Sequence, residues 1–223
     1  MSELGKYFVI EGPDGTGKTT QAQILVDELT RRGHKSRYVH EPGETPMGLE
    51  LEKIIKNRDL AREPSTDLLL FTANRLEVYL QVIEPALRDG VIVVADRNWL
   101  SSVAYQGVAC GMGAAAIRDE TLKWLPNEYM EPTFTALLYV PEEEQHQQML
   151  ARRGTSAKDY FESKPDEFQS LLQKGYSEAG RMVAKRHTVD GQNIPASAHI
   201  SAGGSIDEVH ARIIQKLEEV QLI

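Results

Sequence analysis

The sequence predicts an α/β fold in which a mostly parallel sheet is covered by helices on both faces. Three observations predict it. VIVVAD (91–96) and TALLYV (135–140) are continuous apolar runs, as expected of strands buried on both faces. Helical patterns separate the strand-like runs along the chain. The first such run, KYFVIE (6–11), passes directly into a glycine-rich turn and then a helix.

The elements follow in order. Residues 17–32 read as a helix with Ala22, Leu25, Val26 and Leu29 on one face, closed by Gly33. KSRYVH (35–40) reads as a second strand, and PMGLELEKIIKN (46–57) as a helix with Pro at its start. Residues 65–88 read as one long helix with Ser65 or Thr66 as N-cap. After the third strand, 91–96, helices are expected over 99–109 and 114–125. The fourth strand, 135–140, leads into a helix at 141–153 with acids in its first turn. Residues 154–165 are polar and lack apolar periodicity. A helix through about 186, a weak strand AHIS (198–201) and an amphipathic helix at 205–221 complete the chain. The expectation is one domain over 1–223, with five strands and a small lid at about 151–165.

Composition narrows the function. The 223 residues carry a formal net charge of −8, the wrong sign for a protein that grips nucleic acid. No apolar run approaches membrane-helix length, so no membrane contact is expected. MSELGKYFVIEGPDG lacks the pattern of a signal peptide. Cys110 is the single cysteine, so no internal disulfide forms, and a reducing cytoplasm is the expected setting.

In open α/β sheets ligands sit at the carboxyl ends of the strands. Gly12, Glu41 and Asp96 fall there. GPDGTGKT (12–19) fits G-x-x-x-x-G-K-[ST], the P-loop, and so predicts a P-loop NTPase fold. Gly12, Gly15 and Gly17 let backbone N–H groups approach phosphate oxygens with no Cβ in the way. Pro13, Asp14 and Thr16 complete the loop. Lys18 brings a point charge to the terminal phosphates, Thr19 offers a hydroxyl to Mg²⁺, and Thr20 follows in the first helical turn. The helix points its positive end at the same place. A GTPase switch would want D-x-x-G and N-K-x-D. Asp96 is followed by Arg97, Asn98 and Trp99, and N-K-x-D is absent. An assembly motor is disfavoured by the small size. A small-molecule kinase remains, and it needs a second site for an acceptor.

Two segments supply one. In LLLFTANR (68–75), Phe71 and Arg75 stand four apart and share a helical face. In ADRNWLSSVAYQG (95–107), Asp96 is placed to hold Mg²⁺ through water, and Arg97 faces the same cleft. Ser101 and Tyr105, and Ser102 and Gln106, form adjacent polar stripes suited to a sugar and a base edge.

These blocks, in order, resemble the thymidylate kinase family. EGPDGTGKTT resembles its P-loop, EPGETPMG its E-P-G-G-T-P-x-G loop and LLLFTANR its L-L-F-x-A-x-R helix. DRNWLSSVAYQG resembles its D-R-[YFH]-x-x-S-x-x-A-Y-Q-G segment, and FQSLLQKGY (168–176) its F-x-x-x-x-x-G-Y helix. The resemblance implies an ATP-dependent transfer to dTMP, with Mg²⁺, in a homodimer whose 65–88 helix lies near the interface. It implies that Phe71 stacks on thymine, that Arg75 reaches a base carbonyl, and that Arg97 binds the acceptor phosphate. Asp14 would contact the acceptor or metal-bound waters, and Tyr105 would lie by the deoxyribose. Gln106, with Ser101 or Ser102, would meet the base edge, and Pro42 would shape the phosphate side of the pocket.

The sequence departs from the family pattern in places. Gly15 stands where some members carry a P-loop arginine, so the lid should supply the cation, with Arg153 favoured over Arg152 and Lys158. Tyr160 replaces the arginine of the lid's D-R-x-E. Glu44 replaces the second glycine of E-P-G-G-T, and His40 the arginine before it. A base-modified pyrimidine acceptor such as 5-hydroxymethyl-dUMP, another pyrimidine deoxynucleotide, and a non-catalytic nucleotide-binding regulator remain alternatives.

Overall fold

The computed structural model describes residues 4–141, 160–161, 163–183, 186–189 and 192–223. Five strands form one all-parallel sheet: β1 (Tyr7–Glu11), β2 (Ser36–His40), β3 (Ile92–Asp96), β4 (Phe134–Tyr139) and β7 (Ser197–Ser201), in the order β2-β3-β1-β4-β7. Every residue of β1 and β3 is buried, which is why they read as unbroken apolar runs. Strand β2 lies at an edge, where Arg37 is exposed and Val39 buried. Ile10 of β1 and His40 of β2 both sit in register with Asp96, so three strands end at one level. Apolar clusters fill both faces. One gathers around Val9, Val78, Val93 and Leu100. The other gathers around Phe8, Leu25, Val94 and Ile213.

Helix α1 (Lys18–Arg31) starts beyond Gly17, whose φ of 83° lies in the left-handed region that favours glycine. Helix α2 (Pro46–Lys56) is capped by Thr45, whose hydroxyl accepts from the Gly48 N–H at 2.9 Å. Helix α3 (Pro64–Val78) corrects the expected N-cap. Pro64 occupies the first turn, where its missing N–H costs nothing, so Ser65 and Thr66 fall inside the helix. The long helix is also not uniform. A π-helical turn at Tyr79–Ile83 separates α3 from α4 (Glu84–Arg88). Pro85 has no N–H to give and its ring opposes the carbonyl four residues back, so the regular ladder breaks there.

The expected 99–109 helix is α5 (Trp99–Ser102) followed by a π-helical stretch, Val103–Ala109. Helix α6 (Ala114–Thr121) ends short of 125, because Pro126 disfavours helix in the residue before it. Helix α7 (Asn127–Met130) follows it. Helix α8 (Asp166–Met182) ends before 186, and Arg186 opens an antiparallel hairpin, β5 (Arg186–Val189) and β6 (Gln192–Pro195). Helix α9 (Ile206–Glu219) closes the fold on a capping box between Ser205 and Glu208. The expected helix at 141–153 and most of the expected lid lie outside the described residues.

Candidate active site

The carboxyl ends of β1, β2 and β3 open into one cleft of about 490 Å³. The phosphate loop forms one wall. A Cβ at Gly12 would stand 2.4 Å from the Leu138 carbonyl oxygen, and its φ is 148°, so only glycine fits. Lys18 is 5% exposed, and its Nζ donates to the Pro13 carbonyl at 2.8 Å and lies 3.6 Å from Asp14. The Thr16 hydroxyl donates to the same carbonyl at 2.9 Å. Gly15, Gly17, Thr19 and Thr20 line the cleft beside it.

The Thr19 hydroxyl hydrogen-bonds to Asp96 Oδ2, while Asp96 Oδ1 is buried and finds no partner among the described residues. A hydroxyl and one carboxylate at a phosphate loop fit Mg²⁺, which keeps several waters and takes substrate phosphate oxygens as further ligands.

The opposite wall holds the residues expected to meet an acceptor. Arg97 leaves β3 with a φ of 78°, a conformation side-chain-bearing residues rarely adopt. Its guanidinium pairs with Asp14 and donates to Ser101 Oγ at 2.9 Å and to the Tyr176 hydroxyl at 2.6 Å. Tyr105 donates to the other Asp14 oxygen at 2.7 Å. Lys18 of the phosphate loop and Arg97 of the far wall therefore flank one carboxylate.

Behind Arg97 lies Glu11, fully buried. It accepts from the Asn98 N–H at 2.8 Å, the Ser101 N–H at 3.0 Å and the Ser101 hydroxyl. Burial raises its pKa against the opposing pull of Arg97. A second buried acid backs the second arginine. Arg75 is 1% exposed; it donates to Ser102 Oγ at 2.8 Å and the Asn98 carbonyl at 3.0 Å. Its Nε lies 3.3 Å from Glu41, which also accepts from the Tyr129 hydroxyl at 2.7 Å.

Burial pushes the Glu41 pKa up to about 7, with Arg75 opposing. A carboxyl whose folded pKa exceeds its unfolded one stabilises the fold below the unfolded value, and that contribution is lost as pH rises to about 7. Glu41→Gln mimics the protonated form. Thermal unfolding at pH 5 and pH 8 is therefore expected to show wild type losing stability relative to Glu41→Gln as pH rises. A difference that stays constant across that interval contradicts the buried-acid reading.

The structure thus brings Asp14, Pro42, Phe71, Arg75, Arg97, Ser101, Ser102, Tyr105 and Gln106 to one cleft. It also gives two of them partners. The Ser101 hydroxyl accepts from Arg97 and bonds to Glu11, and the Ser102 hydroxyl accepts from Arg75. Gln106 is different: it is fully buried in the cleft wall, and neither amide atom has a partner among the described residues. Phe71 is half-buried and presents its ring beside Arg75, whose Cζ lies 5.2 Å from the ring centroid. Arg153 lies outside the described residues.

Sequence reasoning gave no role to Glu11, Tyr129 or Tyr176. The signal for Glu11 was an acid closing an apolar strand, and for Glu41 only its place directly after β2. Asn74 also found its place: its side chain accepts from Gly43 N–H at 3.3 Å and donates to the Gly48 carbonyl at 3.1 Å, tying the 41–48 loop to α3. Glu44 takes a φ of 65° and turns its carboxylate back onto His40, accepting from its N–H and its ring Nδ1, each at 3.1 Å. This bond raises the His40 pKa.

Fold and phosphate loop together place the chain among the P-loop nucleotide-binding proteins. The model of the thymidylate kinase family matches residues 10–213, and the chain belongs to that family. The thymidylate kinase of Pelotomaculum thermopropionicum is 34% identical over 97% of this chain and 94% of its own length. That of Desulfosudis oleivorans is 33% identical over 96% and 97%. That of Exiguobacterium sibiricum is 35% identical over 77% and 79%.

Proposed function

We propose that the protein is an ATP-dependent dTMP kinase that moves the γ-phosphoryl group to dTMP and yields dTDP. The convergence of Lys18 and Arg97 on Asp14 carries this reading, because cations from the donor and acceptor walls meet where a phosphoryl group would cross. Transfer of this kind asks mainly for alignment and charge neutralisation. The loop from Gly12 to Thr20 cradles the donor phosphates, with Lys18 on the terminal ones. Thr19 and Asp96 hold Mg²⁺, which neutralises phosphate charge when bound. Arg97 takes the acceptor phosphate and releases Asp14 toward the acceptor or metal-bound waters. Phe71 stacks on the base, Gln106 and Arg75 read its edge, Tyr105 lies by the deoxyribose, and Pro42 shapes the phosphate side. Ser101 and Ser102 act by holding the two arginines. The lid at about 151–165 supplies Arg153 as a further cation, an assignment that rests on sequence.

The chain acts as one domain, 1–223, and pairs as a homodimer. Leu69, Ala73 and Leu80 form an exposed apolar stripe from α3 into the following turn, with Leu69 54% and Leu80 50% exposed. No helix among the described residues is long and apolar enough to cross a membrane. A single cysteine suits the cytoplasm, and the net charge of −8 leaves small nucleotides as the partners, not nucleic acid.

A coupled ADP-release assay across dTMP, dUMP, 5-hydroxymethyl-dUMP, dCMP and dGMP tests the reading. The expected order places dTMP first. ATP binding without turnover of any acceptor overturns the kinase assignment, and preference for another pyrimidine overturns the acceptor.

A further inference from the structure

Tyr160 stands where the family pattern carries an arginine, and its surroundings are specific. The Arg62 guanidinium lies 4.1 Å from its ring centroid, and so does Lys164 Nζ, which also donates to the Tyr160 hydroxyl at 3.0 Å. The Tyr160 N–H donates to the carbonyl of Lys56, the last residue of α2, at 3.2 Å. Arg62 is itself immobilised. It pairs with Asp67 where both side chains are nearly buried, and it donates to the carbonyls of Ile54, Ile55 and Leu60. One arginine thus closes the end of α2, ties it to the start of α3, and offers a cation to an aromatic face.

The next residue reaches the cleft. Phe161 is 7% exposed and lines the cleft with Phe71 and Tyr105. Its ring centroid is 5.8 Å from Phe71, tilted by 42°, and 5.3 Å from Tyr105, edge-on. A flat base stacked against both rings would need about 7 Å between them, so Phe161 bounds the stacking surface at its side and does not form a second plate. Its carbonyl accepts from Gln169 Nε2 at 2.9 Å and from the Lys164 N–H at 3.2 Å, which fixes the backbone that carries the ring.

We propose that Arg62, Lys164 and Tyr160 form a clamp outside the cleft that positions Phe161 as the side wall of the acceptor-base pocket and so sets the affinity for the acceptor. This rests on the reading of the cleft as a dTMP site. Tyr160 is a positioning residue: it acts through Phe161, not on the nucleotide.

The test compares Tyr160→Leu, which keeps apolar volume but loses the aromatic face, with Tyr160→Phe, which keeps the face and loses the hydroxyl. Tyr160→Leu is expected to raise the dTMP KM and Kd about tenfold, the order a partly desolvated cation–π pair carries, with kcat and the ATP KM nearly unchanged. Tyr160→Phe restores most of the affinity. In a Phe161→Ala background, Tyr160→Leu is expected to add less than about twofold, because coupled neighbours are not additive. Wild-type affinity in Tyr160→Leu, or full additivity with Phe161→Ala, overturns the clamp. Calorimetric dTMP binding separates the two failures. A wild type that binds dTMP without transferring it overturns the kinase reading, while the variants still judge the clamp by Kd. A wild type that binds no pyrimidine nucleotide overturns both.

Discussion

Arg97→Ala is expected to lose roughly a thousandfold in kcat/KM for the acceptor while keeping its fold, the scale seen when a charge-stabilising arginine is removed from a phosphoryl-transfer site. The side chain joins the acceptor wall to Asp14, and its loss leaves no other described arginine at that point of the cleft. The fold should survive because the groups behind it keep their partners. Glu11 still accepts from the Asn98 and Ser101 N–H groups and from the Ser101 hydroxyl. Alanine is the proper replacement. At a φ of 78°, alanine meets the same Cβ strain as arginine, whereas glycine would relieve it and confound the comparison. Steady-state kinetics and circular dichroism decide the matter; a variant with full turnover removes Arg97 from the acceptor phosphate.

Phe71→Ala is expected to raise the acceptor KM about ten- to a hundredfold, in line with the worth of one base–aromatic stack. The ATP KM should barely move, since the donor loop lies on the other wall. A fully buried core phenylalanine would cost roughly 3–5 kcal/mol of stability. Phe71 is only half-buried, so its stability loss should fall below that range. Denaturant unfolding alongside substrate titration distinguishes the two roles: a large stability loss with an unchanged KM returns Phe71 to the core.

The parts of the fold that were legible in the sequence are those whose physics is local. A buried strand is an apolar run, and a phosphate loop must hold its glycines, lysine and hydroxyl within eight positions, as residues 12–19 do. The π-helical turns at Tyr79–Ile83 and Val103–Ala109 were not legible, because their apolar spacing blends into that of an ordinary helix. The β5–β6 hairpin hid for another reason: its strands are short and mixed in polarity, and pairing between them is not written in either one. In the cleft, Phe71, Arg75, Arg97 and Gln106 were expected from spacing and resemblance, and all four belong to its lining. The acids behind the arginines did not. Glu11 and Glu41 look like surface residues by type, and only the burial of the strand ends shows them holding guanidinium groups from within.

The two departures at positions 40 and 44 amount to a single exchange. An acid placed in a left-handed turn beside an anion-binding cleft would be a liability twice over, in backbone conformation and in field. Here the carboxylate accepts from the histidine four residues earlier, through its backbone N–H and its ring, so its oxygens are held inside the loop. The two positions lean on each other: glycine at 44 would leave the imidazole without its acceptor, and a residue without a donor ring at 40 would leave the carboxylate only the backbone N–H. The loop therefore carries a hydrogen-bonded pair of its own, and a change at either position removes a partner from the other.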